Sequence, residues 1–94
     1  MRFILTVKRK TGMNEFSDPQ PLINISPDGS FEADNLGFAR RDSNSHIRSW
    51  TEGKGMKIRT QKDWVKNPKT KQFEKQVMVQ DGDKPETYIF MLES

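Results

Sequence analysis

The chain reads as mainly β, with α+β as the alternative: a small antiparallel sheet or partial barrel carrying at most one short helix. Three observations predict this. Apolar and polar residues alternate with period two in several separate stretches. Turn sequences built on proline, glycine, asparagine and aspartate separate those stretches. The last stretch, Thr87-Tyr88-Ile89-Phe90-Met91-Leu92, is apolar on both faces, as a strand in the middle of a sheet is.

The elements follow in order. Phe3, Leu5 and Val7 share one face and Thr6 and Lys8 the other, which makes the N-terminus a half-buried strand. The string from Lys10 to Asn14 ends it, and residues 14–21, with Asp18-Pro19-Gln20-Pro21, read as an extended loop. Leu22-Ile23-Asn24-Ile25 is a short strand. Ser26-Pro27-Asp28-Gly29 then turns the chain into Ser30-Phe31-Glu32-Ala33, because proline presets φ at the second turn position. Residues 34–55 are the least regular. A helical turn or two is placed at 36–41 or 45–50, since serine, asparagine and aspartate favour caps and turns over helix interiors. Met56, Ile58 and Thr60 restore alternation. Phe73, Val77 and Val79 do so again beyond the turn at Asn67-Pro68-Lys69-Thr70. Strands near 56–66, 71–80 and 86–92 should form an antiparallel meander. The N-terminal strand is expected beside the last of them, letting the sheet curl toward closure.

Ninety-four residues make one domain, 1–94, with room for one core. Leu, Ile, Val and Phe supply 20 residues, a lean set for a folded chain. A second copy is one way such a domain gains stability, so a homodimer is an open expectation. The absence of cysteine excludes disulfides, thiolate zinc sites and a Cys nucleophile. The N-terminal apolar run is too short for a signal peptide, and no segment has the ~20 apolar residues of a membrane span. A cytoplasmic protein without membrane contact is expected.

Charge is sorted along the chain. Residues 1–10 carry Arg2, Lys8, Arg9 and Lys10 and no acid, whereas residues 11–39 carry five acids and no base. Residues 40–75 hold eleven bases against four acids, and the formal total is only +3. Such asymmetry speaks of partners and points to a polyanion. The candidate nucleic-acid-binding residues are Arg48, Trp50, Lys57, Arg59, Lys62, Lys66, Lys69 and Lys71. Lysine and arginine neutralise phosphates, and aromatic rings stack unpaired bases. Lys57 and Arg59 should stand side by side on one strand face, with Lys66, Lys69 and Lys71 at a hairpin tip. Trp64 and Phe73 share parity with core residues and are expected to be buried. Trp50 sits in irregular sequence and is the expected exposed ring. The competing explanation is that these lysines merely face solvent and guard sheet edges.

No catalytic constellation emerges. His46 is the only histidine and reads as a solvated loop residue. Asp81-Gly82-Asp83 lacks the further oxygens of a calcium loop and reads as a hairpin turn. Gly53-Lys54-Gly55 lacks the Ser or Thr of a phosphate loop and reads as a flexible turn. No cofactor, no metal and no enzymatic activity are expected. The expected function is a small binding protein that holds nucleic acid, single-stranded by preference, on a basic sheet face and hairpin. The alternative is a protein-binding inhibitor or adaptor, of the kind phage accessory proteins use against host proteins, docking through segregated charge.

Overall fold

Alternation in the first and last apolar runs brings them together at the centre of one sheet. The computed structural model describes residues 3–25 and 35–93. The proposed turn at 26–29 and the strand at 30–33 lie outside them. The strands are β1 (Phe3–Gly12), β2 (Glu15–Phe16), β3 (Gln20–Ile25), β4 (Lys57–Gln61), β5 (Val65–Lys66), β6 (Phe73–Asp81) and β7 (Lys84–Glu93), and one helix, α1 (Asn35–Gly53), precedes β4. The sheet is antiparallel and open, in the order β2-β1-β7-β6-β4. β3 joins the outer side of β1, and β5 joins the outer side of β6. The expected meander is present as β4, β6 and β7, and β1 pairs with β7 as expected. Among the described residues the sheet does not close: β3 and β4 each have a strand partner on one side only.

The strands differ from expectation where the backbone departs from regular pleating. β1 runs on to Gly12, and Asn14 at φ 61° turns the chain back into β2, inside what reads as a loop. The first meander strand is broken at 62–64 into β4 and β5. The turn between β6 and β7 is a two-residue hairpin, Gly82-Asp83, with Gly82 at φ 60°. Positive φ at the first central position suits glycine and matches the right-handed twist of the flanking strands.

One sheet face is covered by α1. Phe3, Leu5, Val7, Val77, Val79, Phe90 and Leu92 are buried there against Ala39 and Ile47. The helix is one continuous 19-residue element where sequence suggests a turn or two. Ala39, Ser43, Ile47 and Thr51, spaced by four, form the buried stripe. Two of the four carry hydroxyls, which weakens the apolar pattern. Both hydroxyls are satisfied within the helix: Ser43 Oγ donates to the Ala39 carbonyl (2.6 Å) and Thr51 Oγ1 to the Ile47 carbonyl (3.0 Å). The helix ends in a Schellman motif. Met56 N donates to Thr51 O and Gly55 N to Glu52 O, each at 3.0 Å, with Gly55 at φ 75°. Gly53-Lys54-Gly55 is thus a fixed cap, and buried Met56 is its hydrophobic anchor.

Candidate nucleic-acid interface

The basic residues of the second half gather because β4 and β5 lie end to end along the same side of β6. Lys57 is opposite Gln80 on β6, and Lys66 is opposite Phe73. Seven residue steps separate those partners, about 23 Å at ~3.3 Å per residue. Arg59 and Lys62 fall between them, and Lys62 N donates to Gln76 O (2.9 Å). Beyond Lys66 the chain turns at Asn67, whose side-chain oxygen accepts from Lys69 N (2.9 Å) and Thr70 N (3.4 Å). Lys71 closes the turn at φ 66°, a costly conformation for a residue with a Cβ, and its N–H donates to Asn67 O at 2.8 Å. Asn67 Nδ2 in turn donates to Glu74 Oε2 (3.0 Å), which fixes the tip to β6. Lys66, Lys69 and Lys71 are all exposed at that tip.

The six cations from Lys57 to Lys71 are therefore one column on one sheet edge. Among the described residues none of them makes an ion pair; the ion pairs seen are Arg9 with Glu86 (3.7 Å) and His46 with Asp42 (3.2 Å). Arg48 joins the column from α1. It faces Lys57 and Arg59 across a groove of about 570 Å³ between the helix and the free side of β4, with Glu52 as its one acid. Lys57 and Arg59 do not follow plain alternation, because a bulge at Arg59 shifts the register between Ile58 and Thr60. They nevertheless meet at Gln80: Lys57 is opposite it, and Arg59 Nη1 donates to its Oε1 (3.5 Å).

The aromatic rings are differently placed from the cations. Trp50 is not an exposed ring. The continuous helix turns it toward the sheet, one residue before buried Thr51, and it packs edge-on against Tyr88 (5.1 Å) and Phe90 (5.6 Å). Lys54 Nζ covers it at 5.2 Å from the ring centre. Trp64 is half-buried against the core, as parity predicts, and its Nε1 donates to Asn44 Oδ1 (3.3 Å). Phe73 is half-buried beneath the Arg40 guanidinium (4.7 Å).

Asn44 also accepts from Lys75 Nζ (2.9 Å), so one amide oxygen ties β6 and the 62–64 loop to the helix. Lys75 is the one buried cation of the basic segment. Burial holds its ammonium below the ordinary lysine value, and the charge of Asp63 partly offsets this. Lys75 is a structural pin that sequence cannot tell from its exposed neighbours. His46 lies on the helix rather than in a loop, four residues from its partner Asp42. No three metal-ligating side chains converge among the described residues. No described helix is long and apolar enough to cross a membrane.

Compared with known protein families, curated proteins and solved structures, the chain matches none. Among the described residues the fold is one helix on an open antiparallel sheet with one strongly basic edge.

Proposed function

We propose that this protein binds nucleic acid through its phosphate backbone, using the β4–β5 edge. The observation that carries the reading is the column Lys57, Arg59, Lys62, Lys66, Lys69 and Lys71, exposed and without ion pairs among the described residues. Lysines on such an edge release counterions when they meet phosphates, which gives affinity without sequence preference. One strand of a B-form duplex places a phosphate every 3.4 Å of rise, so a 23 Å column meets about seven. With Trp50, Trp64 and Phe73 engaged in packing, contacts to phosphates carry the binding and base stacking contributes little.

The test is a titration of fluorescent oligonucleotides at several salt concentrations. Six phosphate contacts give a slope of log K against log salt of about −4 on single strands and about −5 on duplex. Lys57→Ala, Arg59→Ala and Lys69→Ala each reduce the slope by about 1 without unfolding the domain. Absence of binding at low salt, or binding that the triple variant leaves unchanged, overturns the reading.

A further inference from the structure

We infer that the ligand is double-stranded DNA and that it lies across the sheet face opposite the helix, held by a second cation column at Lys8 and Lys10. This rests on the reading above and extends it to a different strand. Side-chain alternation along β1 puts Phe3, Leu5 and Val7 under the helix and Lys8 and Lys10 on the other face. Register carries that face across the sheet. Lys8 is opposite Ile89 on β7, Ile89 is opposite Gln76 on β6, and the main-chain bond from Lys62 meets Gln76. One row thus runs from Lys8 to Lys62 with an uncharged floor between.

The next row, with Thr87 opposite Met78 and Met78 opposite Thr60, is uncharged. Arg59 borders the hollow of about 520 Å³ over these residues. Lys62 borders a smaller one of about 160 Å³ over Gln76 and Ile89. One carboxylate, Glu74 on β6, shares this face, and Asn67 Nδ2 donates to it. Glu86 borders the larger hollow but is paired with Arg9, Asp63 and Glu74 border the smaller, and Glu15 lies at the hairpin beside Gly12. Along this face Thr87, Ile89 and Gln76 are half-buried and Met78 is exposed, whereas Thr6 and Met91, further from Lys10, are buried.

The spacing between the two columns selects the ligand. From β1 across β7 and β6 to β4 is three strand steps, about 14 Å at ~4.8 Å each. The two phosphate backbones flanking a B-form major groove lie about 12 Å apart. A single strand has one backbone and meets one column; a duplex has two and meets both. Lys8 Nζ lies over the Phe16 ring of the neighbouring β2 at 4.4 Å. The floor of Thr87, Ile89, Gln76 and Met78 is too broad to enter the groove, so the complex reads backbone and not bases.

The experiment compares a duplex DNA and a single strand of equal length, each titrated against the intact chain and against a Lys8→Ala/Lys10→Ala variant at several salt concentrations. The circular dichroism of each protein is recorded to confirm folding. Expected is tighter binding to duplex, a salt slope shallower by about 2 in the variant, and at least about ten-fold weaker duplex binding by the variant at 0.1 M salt. Single-strand binding changes by less than about two-fold. Equal binding of both DNA forms, or a variant that holds duplex as well as the parent, overturns the inference while leaving the β4–β5 edge in place. Should neither DNA bind the parent chain, both readings fall. A Lys8→Arg/Lys10→Arg variant keeps the charge and restores duplex binding, which a merely structural role for these side chains would not require.

Discussion

On one side of the sheet the outermost strand among the described residues is β3, which runs Gln20, Pro21, Leu22, Ile23, Asn24, Ile25 without a charge. On the other side the exposed edge is β4 and β5, with Lys57, Arg59, Lys62 and Lys66 along it and two more lysines at the tip. Each edge has unpaired backbone groups that invite pairing with another chain. β3 is blunted by Pro21 and by a register shift at Leu22. β4 has a bulge of its own at Arg59. The six cations of this edge make no ion pair among the described residues, and β3 carries no charge at all.

Removing the support shared by both edges is the largest perturbation. Phe90 on central β7 is fully buried and meets Trp50 edge-on. Phe90→Ala is expected to cost about 3–5 kcal/mol, a large share of the stability of a domain this size, by chemical denaturation. Both edges lose protection together in hydrogen exchange. If β3 amides stay protected while β4 amides open, the two edges do not share one core.

A smaller change separates the edges. Asn44→Ala removes the acceptor of both Trp64 and Lys75. Its global cost is about 1 kcal/mol, because the stranded ammonium is costly but alanine is the better helix former. The local effect is larger: the Lys62 amide exchanges faster, while amides of β3 keep their rates. Equal acceleration on both edges would show that the amide pin does not hold the basic one specifically.

The smallest effect is a pH dependence. The folded-state pKa of Lys75 lies below its unfolded value, so between the two the unfolded chain binds more protons and stability rises with pH. Lys75→Met removes that dependence. The stability of the methionine variant relative to the parent is expected to be greatest near neutral pH and to shrink as pH climbs toward the ordinary lysine value. A difference that stays flat through the alkaline range would mean that Lys75 is as well solvated folded as unfolded.

Much of the sheet was legible in local alternation. Phe3, Leu5, Val7, Val77 and Val79 went to the covered face, and the doubly apolar Thr87–Leu92 run became the central strand, because successive side chains on a strand must point to opposite faces. The helix was half hidden. Its stripe uses Ser43 and Thr51, whose hydroxyls look like turn signals until the helix's own carbonyls accept from them. Trp50 was misplaced for the same reason: without a continuous helix there was no phase to turn it inward.

Alone, the sequence determined the parities of β1 and β6, a hairpin turn at Asp81-Gly82-Asp83 and the surplus of cations between residues 40 and 75, but not the parity of β4, where the bulge at Arg59 puts Thr60 opposite Met78 and off the Ile58 face it was expected to share. Those are local matters, set by backbone sterics and side-chain type. Only the tertiary structure decided that β4 and β5 share one side of β6, so that the cations form a column while Lys75 is withdrawn beneath the helix. The same pairing set Lys8, remote in sequence, in one row with Ile89, Gln76 and Lys62 on the face away from α1. Strand pairing joins residues by register and not by chain order, which is why the charge map of the molecule could not be read from the charge map of the chain.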